Sequence, residues 1–258
     1  MGLLRYQSTM GLNRDQIEEL VTRVWQMLSC RPARRGRRPA VGLHRSVVLT
    51  LVLLRSNLNQ ATLADLEGVS QPTISRIFRR FAPLIEQALC LHLPPVPDAV
   101  AQRVVLIDGT LVPTGNRAGQ EGNYAGKHRR AGLSVQVLAD LTGGLLAVST
   151  PRPGSMHDRR AFTETGFEAL LAGTPTVGDL GYLGTTVITP RRKPPGGQLS
   201  TRDTDSNMEV SALRSAVERA IAHLKNWKIL ATGYRGRLTE LPAIIRIVTT
   251  LEFYRLGW

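Results

Sequence analysis

Residues 93–97 read LPPVP, three prolines in five positions. Proline fixes φ and removes a backbone donor, so such a stretch cannot sit inside a helix or a central strand. It reads as a stiff, extended linker over 93–102, dividing the 258-residue chain into segments 1–92 and 103–258. Each segment is long enough to fold, and the hydrophobic pattern changes from one to the other.

Before the linker the period is helical. In LNRDQIEELVTRVWQMLS (12–29), Ile17, Leu20, Val24 and Leu28 share a face, with Asn13 or Asp15 as the cap, and VGLHRSVVLTLVLLRSNL (41–58) reads as a mostly buried helix. Between them CRPARRGRRPA holds five arginines within 31–38 and breakers at Pro32, Gly36 and Pro39, so a loop or arm is expected. Further on, a helix over 60–66 stops near Gly68, Val69 and Ser70 make a turn, and Pro72 occupies the first turn of the next helix. That order is the helix-turn-helix pattern. Its second helix turns Gln71, Thr73, Ser75, Arg76, Arg79 and Arg80 outward and Ile74, Ile77 and Phe78 inward. Polar groups at the start of such a helix suit base edges and phosphates, although a plain helical hairpin with solvated arginines has the same pattern.

After the linker, strands alternate with helices. RVVLI (103–107) runs into Asp108; LSVQVLAD (133–140) and LLAVST (145–150) flank Thr142-Gly143-Gly144 as a hairpin; and a helix starts from a cap-like Ser155. TPTVG and TTVITP read as short strands, followed by a long helix through 209–226 and a last helix in ELPAIIRIVTTLEFYRL. The expected fold class is α/β, a mixed sheet with helices packed on it, preceded by an all-α helix-turn-helix domain.

Charge narrows the partners. Thirty-three Lys and Arg against 20 Asp and Glu leave a net charge of +13, a bias toward polyanions and above all nucleic acid. No run of eighteen apolar residues and no signal-peptide layout occurs, so no membrane partner and an intracellular, cytoplasmic location are expected. Cys30 and Cys90 lack CxxC spacing, which argues against a zinc finger or a disulfide framework.

Asp108 and Asp179 share a context: each terminates or interrupts a short apolar strand and is followed by glycine, directly or after one residue. If those strands lie side by side and parallel, both carboxylates reach one edge of the sheet. Two carboxylates about 4 Å apart repel by about 4 kcal/mol at an effective dielectric near 20, so the pair needs a shared proton or a cation. On the long helix Arg214, Glu218 and Lys225 fall along one face, opposite Ala212, Ala216, Val217, Ala220, Ile221 and Leu224. Arg214 and Glu218 would also suit a simple helix ion pair of about 0.3 to 0.5 kcal/mol. Lys127, His128, Arg129 and Arg130 read as a basic turn entering a strand, solvated or in contact with a phosphate backbone. His157 and Asp158 suit either support of the carboxylates or a capping box begun by Ser155.

Taken together, LIDGT around Asp108, NYAGKHRR, PGSMHD at 153–158, VGDLGYLG around Asp179, and the spacing from Asn207 through Arg214 and Glu218 to Lys225 resemble the DDE transposases of bacterial insertion sequences, in the IS-five and IS-four grouping with Harbinger-like endonucleases. Where that family often carries tyrosine, three positions before the arginine, this chain has Ser211. The resemblance implies an RNase H-like catalytic domain in which Asp108, Asp179 and Glu218 hold a pair of Mg²⁺ ions, with Mn²⁺ able to substitute, and Arg214 and Lys225 touch phosphates. It further implies a DNA transposase that binds inverted-repeat ends, cleaves double-stranded DNA and joins the 3′ ends to target DNA, working as a homodimer at the nucleoid without a small-molecule cofactor. Two other readings stay open: an inactive or domesticated DNA-binding protein, and a structure-specific nuclease on the same fold.

Overall fold

A computed structural model describes residues 6–30, 39–90, 93, 95–115 and 117–257. The arginine run 31–38, expected as a loop or arm, lies outside the described residues. The chain forms two units, one of Met1–Leu93, Leu224–Thr232 and Gly236–Trp258, the other of Pro94–His223 and Gly233–Arg235.

The first unit is helical: α1 (Tyr6–Met10), α2 (Arg14–Ser29), α3 (Leu43–Ser56), α4 (Gln60–Glu67) and α5 (Gln71–Leu89). Asn13, not Asp15, caps α2, through a reciprocal box in which its side chain accepts from Gln16 N at 2.8 Å and Gln16 Oε1 accepts from Asn13 N at 3.1 Å. Helix α4 ends where Gly68 takes φ 64°, a left-handed conformation that costs a side-chain-bearing residue about 1 to 2 kcal/mol. The chain then turns at Ser70 into α5, which buries Ile74, Ile77, Phe81, Leu84, Ile85 and Leu89. Phe78, expected inward, is half-buried, one residue off the buried stripe.

The C-terminal helix, Leu241–Leu256, also belongs to this unit, whereas the sequence division at residue 103 assigned it to the sheet domain. The reason is its pattern: Leu241, Ile244, Ile245, Ile247, Val248, Leu251, Phe253 and Tyr254 are buried around most of its circumference, so a single partner cannot cover it. Helix α5 packs along it, Arg246 Nε meets Glu86 at 2.9 Å, and the Tyr254 hydroxyl donates to Gln16 O at 3.0 Å. Trp227 is fully buried beside it and donates from Nε1 to Glu252 Oε2 at 2.9 Å.

In the second unit α6 (Val96–Val100) precedes β1 (Val105–Pro113), β2 (Tyr124–Ala125), β3 (Arg130–Ala139), β4 (Leu145–Val148) and β5 (Arg152–Pro153); α7 (Asp158–Glu164), α8 (Phe167–Leu170), β6 (Thr176–Val177) and α9 (Thr201–Lys225) follow, α9 entering the first unit at Leu224. The extended linker is therefore corrected. Pro95 and Pro97 stand at the cap and first turn of α6, where a missing N–H costs nothing, and Ala99 and Val100 are buried.

The sheet is mixed and curled. Its order is β2-β3-β1-β6, with β4 and β5 also on β3; β1 pairs antiparallel with β3 and parallel with β6. The expected hairpin is the β3–β4 pair, and TTVITP contributes only one parallel bridge, Val177 to Ile188. Val105, Ile107, Leu138, Leu146, Phe162, Phe167 and Tyr182 form the core beneath the sheet, Phe162 and Tyr182 meeting edge to face at 5.7 Å.

Candidate active site

Parallel pairing of β1 with β6 builds the site. Leu106 stands opposite Val177; Asp108 lies two residues farther along β1, and Asp179 two residues past Val177, just beyond the end of β6, in an extended conformation that caps the next turn, so the parallel pair brings both carboxylates to one edge of the sheet. Asp108 interrupts the apolar run of its strand rather than ending it; β1 continues to Pro113. The Asp108 side chain is 16% exposed and that of Asp179 is 19% exposed.

Each carboxylate is held by backbone. Asp108 Oδ1 accepts from Gly109 N at 2.8 Å, and Asp179 Oδ1 accepts from Gly181 N at 2.8 Å, opening a short 3-10 turn over Leu180–Tyr182. Arg214 Nη2 lies 3.7 Å from Asp108 Oδ2 and Lys127 Nζ lies 3.9 Å from Asp179 Oδ2, distances at which charge acts without a hydrogen bond. Burial pushes Asp108 up to about 6, opposed by Arg214 and reinforced by Asp179 and Asp158.

Asp158 is the third acid beside them. Burial, then Asp179, raise its pKa, against Lys127, His128 and His157. A Cβ built on Gly109 would clash with Asp158 Oδ1, and one on Gly181 would meet Asp179 Oδ1 at 2.8 Å and Asp158 Oδ2 at 2.9 Å, so both glycines leave the recess that these carboxylates occupy. The expected capping box is not formed: α7 starts at Asp158 with His157 as its cap and no side-chain cap bond.

Beneath lies a polar layer that sequence reasoning missed. Gln136, 1% exposed, donates from Nε2 to the Asp158 carbonyl at 2.9 Å and to the Tyr182 hydroxyl at 3.2 Å, while its Oε1 accepts from Thr165 Oγ1 at 3.2 Å. Tyr182 is fully buried; burial first, then Asp158, Asp108 and Asp179, hold its hydroxyl well above the ordinary phenol range. The available signals were a lone polar residue in the apolar LSVQVLAD and the tyrosine of LGYLG.

Glu218 is placed differently. It is exposed and makes no hydrogen bond or ion pair among the described residues, so neither the expected helix pair with Arg214 nor a contact with Asp108 is present. Arg214 turns to Asp108 instead, with its Nε buried and unpartnered. Lys225 belongs to the first unit, where Nζ donates to Leu230 O at 2.9 Å and closes the end of α9. On the predicted face, Ala216, Val217, Ala220 and Leu224 are buried, Ile221 is half-buried and Ala212 is exposed.

The donor set, carboxylate oxygen alone, suits a hard divalent cation, and the glycines let the Asp158 and Asp179 carboxylates approach each other closely. As the side chains stand, no group of three His, Cys, Asp or Glu able to hold a metal occurs among the described residues. The fit rests on the converging aspartates.

The basic turn is a double one: His128 N bonds Ala125 O at 3.2 Å and Arg129 N bonds Gly126 O at 3.3 Å, with Arg129 at φ 50° and Arg130 opening β3. On α5, Gln71, Arg76, Arg79 and Arg80 are exposed and Thr73 and Ser75 are half-buried. Several are engaged locally: Gln71 donates to Gln60 at 2.8 Å, Arg79 to Ser75 at 3.0 Å, and Arg80 lies over the Phe81 ring at 5.5 Å.

Comparison with known proteins places these features in context. The DDE superfamily endonuclease profile matches residues 107–252, and the helix-turn-helix of DDE superfamily endonuclease matches residues 40–91. The chain is 32% identical over 222 residues, 85% of its length and 83% of the relative's, to a transposase named for insertion sequence element IS112 of Streptomyces albus G. It is 26% identical over 235 residues, 86% of its length and 84% of the relative's, to one named for IS702 of Microchaete diplosiphon. No solved structure gives a significant match.

Proposed function

Because the chain belongs to the DDE superfamily endonucleases, we propose that it is the transposase of an insertion sequence, binding the inverted-repeat ends of its element, cutting there and joining the freed 3′ ends to target DNA. The observation that carries this reading is the convergence of Asp108, on β1, and Asp179, just past the end of its parallel neighbour β6. The strand order, with β1 between an antiparallel and a parallel neighbour, supports an RNase H-like catalytic fold.

Asp108 and Asp179 would hold Mg²⁺ or Mn²⁺, with Glu218 as the third carboxylate that the resemblance implies and Asp158 sharing the recess. Held there, divalent ions would supply the lowering of the pKa of an attacking water or 3′-hydroxyl and the stabilisation of the leaving oxygen in an in-line displacement. The protein's own groups prepare that site. Gln136 fixes the start of α7 and so the position of Asp158, Arg214 balances the charge on Asp108, and Lys127 offers a cation to the phosphodiester beside Asp179. In the first unit α5 would enter the major groove, Gln71, Thr73, Ser75 and Arg76 reading base edges while Arg79 and Arg80 meet phosphates. A homodimer would bring two element ends together, in the cytoplasm at the nucleoid and without a small-molecule cofactor.

The test is incubation of the full chain with labelled element-end duplex and Mg²⁺, comparing wild type with Asp179→Ala. Cleavage with joined products, lost in the variant, is expected. Cleavage alone points to a nuclease, and retardation without cleavage to a DNA binder.

A further inference from the structure

A cleft of about 190 Å³ opens directly beside the carboxylates, sharing Gly109 and Asp158 with their recess. Its floor is Thr110 and Leu111 of β1 with Ser134 of β3; one wall is the basic turn Gly126, Lys127 and His128, the other Met156 and His157. We propose that this cleft is a deoxynucleotide subsite, taking the sugar and base of the nucleotide next to the phosphodiester held at Asp108 and Asp179. The assignment rests on the endonuclease reading above.

Three features select that ligand. Continuity comes first: with Asp158 on both sites, a strand crossing the carboxylates continues into the cleft. Charge comes second: Lys127 faces two carboxylates, Asp179 at 3.9 Å and Asp158, so the walls do not form a trap for a bare anion. Chemistry comes third: apolar Leu111 and Met156, two imidazoles and the Thr110 and Ser134 hydroxyls provide a surface for a flat ring and donors for its edge. The double turn over 126–129 fixes Lys127 and His128 at the rim.

Gly126 makes the idea testable without disturbing the fold. A Cβ added there meets nothing within 4 Å, and its φ is not in the left-handed region, so leucine is tolerated at this cleft-lining position without a backbone clash. Ligand-observed NMR on the full chain with thymidine 5′-monophosphate, thymidine and inorganic phosphate, without divalent metal, reads the subsite. The nucleotide should bind, phosphate should not displace it at equal concentration, and Gly126→Leu should weaken it at least tenfold at an unchanged melting temperature. Lys127→Gln, at a side chain 72% exposed, should weaken it several-fold and serves if the leucine variant misfolds. No nucleotide binding, equal binding by the variants, or displacement by phosphate alone overturns the subsite. Mn²⁺-dependent nicking of supercoiled plasmid separates the two readings. Wild-type nicking with an equally active Gly126→Leu sinks the subsite alone; nucleotide binding without any nicking sinks the endonuclease reading and, with it, the placing of the bound nucleotide beside a scissile phosphodiester, leaving only a nucleotide-binding cleft.

Discussion

Burial raises the pKa of Asp108 to about 6 in spite of Arg214, and Asp179 and Asp158 add to the rise. Below the unfolded value near 4 the carboxyl is protonated in both states; between there and about 6 the folded chain holds more protons than the unfolded one. Stability of the metal-free protein should therefore fall as pH rises through that window, by on the order of 3 kcal/mol. Urea midpoints measured across it should show the fall in wild type and not in Asp108→Asn; identical profiles would contradict the placement. Gly109→Ala should push Asp158 aside, since its Cβ would clash with Oδ1, and metal-dependent cleavage should drop at least tenfold while the helical unit still retards DNA. The two aspartates were legible because each stands at an apolar strand beside glycine. Asp158 was legible as one of two readings, support or cap, but Gln136 was not, because a side chain 22 residues from its partner gives no local signal of the contact. Glu218 was legible only through a motif, and the fold leaves it exposed.

Among the elements, the helix-turn-helix was plainest in sequence, since its signals are local: Gly68 can take φ 64° and Pro72 can only start a helix. Replacing Gly68 by valine should cost about 1 to 2 kcal/mol in the first unit, read as a lowered urea midpoint. Arg76→Ala on the exposed face of α5 should relax discrimination between element-end and random duplex, a loss of about 1 to 3 kcal/mol, while Arg80→Ala should weaken both alike and lower the salt slope by about 1. Equal effects of the two would argue against α5 lying in a groove. Prolines misled over 93–102 because the same residues that stiffen a linker also open a helix, and only the burial of Ala99 and Val100 decides between them. The parallel β1–β6 pair was inferred from the intervening crossover, whereas TTVITP looked like a strand and offers a single bridge.

At the scale of the whole molecule, the chain does not divide where its sequence changes character. The C-terminal helix and Trp227 complete the helical unit, so a fragment of residues 1–92 should lack a cooperative unfolding transition, and adding residues 224–258 in trans should restore part of it. That closure was hidden because an apolar helix does not state which neighbour covers it. The net charge of +13 should make DNA retention fall steeply with salt, and no described helix is long and apolar enough to cross a membrane. The claim on which the account stands is that Asp108 and Asp179 bind a divalent cation together. Electron paramagnetic resonance titration of the metal-free full chain with Mn²⁺ addresses it without requiring DNA or turnover. Saturable binding that weakens at least tenfold in both Asp108→Asn and Asp179→Asn is the predicted result; binding that is absent in wild type, or unchanged in the two variants, would contradict it.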